Sequence, residues 1–339
     1  MATAVRCGGG IGCGTVDRVI HLNVSGLRRG LLCASIAAAV AVPVTGAARP
    51  GAVPAPVPAP AAPLRAASPA ALAARYAATR AAIVAAGRTA AEHGHSWRAR
   101  TLRDLADPAR RFLAFDGRDG GLAAEVVGDL ATARRIAVLV PGGDTHLDKY
   151  GLLRGGALRL RQALGDDSAV IAWLGYRTPN TVSLAALTTG RADEGAPALR
   201  AFVRELTALK PAARASLVCH SYGSVVCGRA APGLAVADIV LVGSPGVAAD
   251  DVAALRTPAT VWAGRGSGDW IAFVPHTRLR LPRVTLGFGA DPVAPPFGAR
   301  VFAAGDGGHS DYFKAGSPAL ANIARIVSGR PPAEARHAT

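Results

Sequence analysis

Lysine is almost absent from this 339-residue chain: nearly all of its 38 basic residues are arginine, against 23 acidic residues, for a formal charge of +15. No block of basic residues interleaved with aromatics occurs, which excludes the usual footprint of a nucleic-acid-binding surface. With the surplus of Ala, Gly and Pro, the arginine bias reads as GC-rich coding spread over a solvated surface. Internal repeats and long charge blocks are missing as well. Cysteine is scarce, and three of the five, Cys7, Cys13 and Cys33, precede residue 49. The other two, Cys219 and Cys227, lack any recurrent metal-ligand spacing with a neighbouring His, so neither a metal nor another cofactor is expected. Nor are they expected to pair. With Cys227 six residues beyond Ser221 on a helix, the rise alone is about 9 Å, more than the ~7 Å Cα limit for a disulfide.

A hydrophobic run long enough to span a bilayer is also lacking, since residues 31–44 fall short of the ~20 that a spanning helix needs. Arg28 and Arg29 precede this run and Gly46, Ala47 and Ala48 follow it, the order of an export signal. Residues 1–48 are therefore expected to be a signal peptide or an uncleaved membrane anchor, and the protein secreted or held in the cell envelope. Residues 49–67 read as a Pro/Ala-rich linker. Ser68 then caps, and Pro69 opens, a helical extension over 68–107. The main domain is expected at 108–330 and a disordered tail at 331–339.

Within the main domain, short apolar and β-branched runs at 112–115, 122–127, 136–140, 170–174, 216–219, 239–242, 260–263 and 300–303 read as strands. Segments such as 152–164 and 197–209 suit helices between them. Two opening strands followed by βα units imply a mainly parallel, buried sheet.

The sharpest local signal is Ser216-Leu217-Val218-Cys219-His220-Ser221-Tyr222-Gly223-Ser224, a strand running through one serine into a helix. Such an elbow exposes a hydroxyl at the sheet's carboxyl edge; an ordinary helix-capping serine is the alternative. Gly223 meets the need for a small residue two positions after the serine, and Cys219 replaces the usual glycine two positions before it. The hydroxyl needs a base, and His309 follows the last strand in the glycine-rich loop 305–308; His146 and His276 are its rivals. Asp269, after the strand at 260–263, is the candidate to orient the imidazole, while Asp306 and Asp311 are nearer in sequence and suit loop caps. Oxyanion donors are expected at the Tyr222 N–H and at Gly143 in Pro141-Gly142-Gly143-Asp144. Residues 175–196 and 270–299 are candidate pocket walls, with Trp173, Tyr176, Trp270, Phe273 and Phe288 as apolar lining or as core.

In the phrases Pro141-Gly142-Gly143-Asp144, His220-Ser221-Tyr222-Gly223-Ser224, Asp269-Trp270-Ile271 and Gly308-His309-Ser310-Asp311-Tyr312-Phe313, the chain resembles the α/β-hydrolase superfamily. It looks most like an actinobacterial hydrolase family without an established substrate. The resemblance covers residues 108–328 and implies an α/β-hydrolase fold, a mainly parallel eight-stranded sheet flanked by helices. It also implies a triad of Ser221, Asp269 and His309. The expected activity is cleavage of a small-molecule or lipid carboxylic ester through an acyl-enzyme on Ser221, with membrane or envelope association in keeping with the leader. A peptidase or thioesterase with the same triad, or a non-catalytic exported binding module, are the alternatives.

Overall fold

In the computed structural model the described residues are 53–60, 63–280 and 285–333; the expected signal or anchor at 1–48 lies outside them. Each of the eight expected runs contains a strand: β1 (Arg111–Asp116), β2 (Leu122–Gly128), β3 (Arg135–Val140), β4 (Ser168–Leu174), β5 (Arg214–His220), β6 (Asp238–Val242) and β7 (Thr260–Gly264), with the last contributing β10 (Arg300–Val301). A two-stranded ribbon, β8 (Leu279–Arg280) with β9 (Thr285–Leu286), comes between β7 and β10 and was not expected. The main sheet runs in the order β1-β2-β4-β3-β5-β6-β7-β10. Its first two junctions are antiparallel and the remaining five parallel.

Alternation along each strand divides the core between two faces. On β3, Ile136, Val138 and Val140 join one buried cluster while Ala137 and Leu139 join the other. The first cluster packs under α4 (Gly190–Leu209) and α5 (Gly223–Ala230). The second packs under α1 (Pro69–Glu92), α2 (Ser96–Leu105), α3 (Tyr150–Leu164) and α6 (Pro318–Val327). Burial on both faces explains why the parallel strands read as continuous apolar runs. Asp238, at the start of β6, is a buried exception that accepts hydrogen bonds from Arg214, Ser216 Oγ and Trp262 Nε1, and so ties β5, β6 and β7 together.

Helix starts follow local and tertiary signals in different places. Ser68 Oγ accepts from the Ala71 N–H with Pro69 at the first helical position, and Ser317 Oγ accepts from the Leu320 N–H. By contrast α4 begins at Gly190, ahead of Pro197, where sequence reasoning placed its start. The Ala192 N–H at its open end is satisfied by the Tyr222 hydroxyl, a partner 30 residues away. Within the stretch expected to be a linker, Val53, Ala55 and Leu64 lie against the core clusters. The expected tail is held as far as Ala333, whose carbonyl accepts from Ala303 and whose N–H donates to Asn322.

Cys219 and Cys227 are joined in a disulfide with their Cα atoms 6.5 Å apart, contrary to expectation. Axial rise was the wrong measure of their separation. The elbow at Ser221 turns the chain back, so the first turns of α5 pass beside the end of β5. Cys219 points to the sheet face that α5 covers, and both residues are fully buried in the same cluster. Closing a loop with a sequence separation of 8 contributes about 2.5 kcal/mol on the chain-entropy account.

Candidate active site

Five loops at the carboxyl ends of parallel strands, after β3, β5, β6, β7 and β10, converge here, as expected for an open α/β sheet. Ser221 follows β5 with φ of +54°, a left-handed conformation that few non-glycine residues adopt and that needs surrounding structure to hold it. The Ser221 N–H is tied to the Val242 carbonyl at 3.0 Å. Gly223 must be small: a Cβ there would stand 2.6 Å from the Pro141 carbonyl oxygen.

The structure brings Ser221, His309 and Asp269 together. Ser221 Oγ is 2.8 Å from His309 Nε2, and His309 Nδ1 is 2.9 and 3.1 Å from the two Asp269 carboxylate oxygens. Asp269 is buried. Burial pushes its pKa up, but hydrogen bonds from His309, Tyr312 and the Ile271 N–H outweigh it and hold the carboxyl below its usual range. The rivals are elsewhere. His146 faces Asp148 and His276 faces Asp291, Asp306 is exposed, and Asp311 accepts from the Gly308 N–H, as a loop cap does.

Gly142 lies directly against the nucleophile, since a Cβ on it would come within 2.6 Å of Ser221 Cβ and 3.0 Å of Oγ. Gly143 follows, backed by Pro179 and Thr181. Neither its N–H nor that of Tyr222 has a hydrogen-bond partner among the described residues. The Tyr222 side chain turns away, donating to the Thr188 carbonyl. Of the aromatic wall candidates, Trp173, Tyr176 and Phe288 are buried in the core. Trp270 stands with its ring centroid 4.6 Å from that of His309, and Phe273 is 86% exposed.

Three residues at the site escaped sequence reasoning. Tyr312 donates its hydroxyl proton to Asp269 Oδ2 and accepts from the Gly266 N–H. Its position three residues after His309, within the phrase shared with hydrolases, was the available signal. Gly243, at φ +55°, floors the triad: a Cβ there would meet Tyr312 at 2.9 Å, Asp269 at 3.0 Å and His309 at 3.2 Å. Only the tertiary structure exposes that role. His220 donates from Nε2 to the His309 carbonyl at 2.7 Å, with its ring among those of His309, Tyr312 and Phe313.

Burial, with the adjacent His309, pushes the His220 pKa from 6.5 down to about 4. A histidine depressed in this way binds its proton in the unfolded chain first. Its contribution to stability is therefore complete above pH 6.5 and lost as pH falls from 6.5 toward 4. Thermal melts across this window are expected to show a Tm that declines more steeply in the wild type than in His220→Asn. Parallel curves would refute the role.

A family model described as "Alpha/beta hydrolase" matches residues 116–279. Two uncharacterized Mycobacterium tuberculosis proteins, MT2140 (strain CDC 1551) and Rv2079 (strain H37Rv), are 34% identical over 252 residues, which is 64% of this chain. The chain thus spans only 38% of the length of these relatives. Among solved structures it is similar to an α/β serine hydrolase without lid from Xanthomonas campestris, at 19% identity and a TM-score of 0.41, covering 66% of this chain and 93% of that one. It is also similar to a carboxylesterase from Mesorhizobium loti, at 18% identity and a TM-score of 0.42, covering 61% and 95%. By its sheet order and its strand-elbow-helix around Ser221 the chain has the α/β-hydrolase fold, and the α/β-hydrolase family model matches its centre.

Proposed function

We propose that this protein is a serine hydrolase that cleaves carboxylic esters through an acyl-enzyme on Ser221. The observation that carries the reading is the unbroken hydrogen-bonded series from Ser221 Oγ through His309 to the buried Asp269. His309 Nε2 removes the hydroxyl proton as Oγ attacks the carbonyl carbon, then returns it to the leaving alkoxide. Asp269 holds Nδ1 protonated and stabilises the imidazolium that forms. The tetrahedral oxyanion is received by the N–H groups of Gly143 and Tyr222, at the start of α5, where the helix dipole also favours negative charge. Water then attacks the acyl-enzyme by the same steps in reverse. This coupled set of groups, with two N–H donors left open beside the nucleophile, favours catalysis over a non-catalytic binding module.

A fluorophosphonate probe is expected to label the wild-type protein and not Ser221→Ala, and the wild type to hydrolyse p-nitrophenyl esters. Equal labelling of the two proteins would refute Ser221 as nucleophile. Export accompanies the proposal. The Arg28-Arg29 pair, the apolar run and the small residues after it support it, as does a disulfide, which persists in oxidising compartments. Protein recovered outside the cytoplasm is expected to begin near Arg49, and recovery of residues upstream of Arg28 there would refute cleavage.

A further inference from the structure

Six of the eleven large apolar side chains exposed among the described residues fall in two short segments that start at the site: Val182, Leu184 and Leu187 in one, Trp270, Phe273 and Leu279 in the other. The first segment starts at the oxyanion side, where Pro179 accepts from the Asp144 N–H, next to Gly143. The second starts at Trp270, against His309. They meet beyond the site, where Leu187 accepts from the Gly287 N–H and Thr188 bridges Leu286, the partner of Leu279. Exposed apolar groups are unremarkable when scattered, but a rim of them around one site marks an interaction surface.

Charge along the same segments is one-sided. Residues 177–191 and 270–290 together contain five arginines and not one Asp or Glu. The carboxylates that pair with Arg177, Arg191 and Arg278 are Asp119, Glu194 and Asp250, all outside these segments. Beside these apolar side chains Arg177, Arg191 and Arg278 are each held by a carboxylate that an anionic headgroup could replace, so the rim complements a surface with an apolar interior and anionic headgroups. The location selects the occupant further. A second copy or a protein partner seated on this rim would cover Ser221, whereas a lipid surface both buries the rim and holds esters at its depth.

We infer that the rim of Val182, Leu184, Leu187, Trp270, Phe273 and Leu279 docks the mouth of the site onto an anionic lipid surface, and that the substrate is a lipid ester drawn from it. The inference rests on Ser221 being the nucleophile, but docking itself does not require catalysis. Full-length Ser221→Ala protein and the same protein carrying Leu184→Asp and Phe273→Asp are compared by co-sedimentation with vesicles of phosphatidylglycerol and phosphatidylcholine, and of phosphatidylcholine alone. Binding to the anionic vesicles is expected, at least tenfold weaker with the two aspartates and weaker on phosphatidylcholine alone. In the active enzyme the two aspartates are expected to leave hydrolysis of soluble p-nitrophenyl acetate within about twofold while abolishing the gain on vesicle-borne esters. Absence of vesicle binding would overturn the inference. So would equal binding by both proteins, which would locate the contact elsewhere, for instance in the apolar run at 31–44. A dimer in sedimentation velocity that the aspartates dissolve would overturn it in favour of a second copy. Loss of soluble-ester hydrolysis in the wild type would instead refute the proposed reaction and leave the vesicle result standing.

Discussion

His309→Ala is expected to reduce ester turnover about as severely as Ser221→Ala, on the order of 10⁶ in kcat, with the double variant losing little more. The reason is the direct Oγ to Nε2 hydrogen bond of 2.8 Å, which makes the two side chains one proton-transfer unit. Without the base the hydroxyl is a poor nucleophile, and without the hydroxyl the base has nothing to activate. His146→Ala and His276→Ala are the controls and are expected to stay within a few fold of wild type, since these rings face Asp148 and Asp291. Steady-state kinetics on a p-nitrophenyl ester, with circular dichroism to confirm folding, reads the outcome. A folded and fully active His309→Ala protein would end the mechanism.

Asp269→Asn is expected to cost about 10⁴ in kcat while leaving the fold in place. The buried carboxylate accepts from His309 Nδ1, the Ile271 N–H and the Tyr312 hydroxyl at once. An amide offers only one accepting oxygen to these three donors, and turning its NH2 toward the imidazole selects the wrong tautomer. Tyr312→Phe removes one charge-assisted donor and leaves the rest, so a loss of about 10 to 100-fold is expected, in keeping with ~1.5–3 kcal/mol for a hydrogen bond to a charged group. Asp306→Asn, at an exposed position, is expected to be silent. Loss on Asp306→Asn equal to that on Asp269→Asn would reassign the orienting carboxylate.

Sequence reasoning located the strands because burial on both faces leaves a local mark, an apolar run that neither solvent nor helix periodicity interrupts. It also located Ser221, Asp269 and His309, because each sits just past such a run and the sheet must gather those loops at one edge. The segment 197–209 falls seven residues short of the start of α4, where no side-chain cap marks Gly190. The Tyr222 hydroxyl satisfies an N–H at its true start, a partner that no window around residue 190 contains. The Cys219–Cys227 pairing was misjudged for a related reason: spacing along a helix axis says nothing about a chain that reverses at an elbow.

The sequence by itself determined the strands of the main sheet, the elbow and the chain order of serine, aspartate and histidine, since periodicity, small residues and glycine-rich loops act over a few positions. The tertiary structure alone decided that Tyr312 and Gly243 support the triad and that His220 anchors the loop of His309. It also decided that two segments with exposed apolar side chains lead away from the loops around one serine. Those relations join residues tens of positions apart, and such contacts exist only once the sheet has brought its carboxyl ends together.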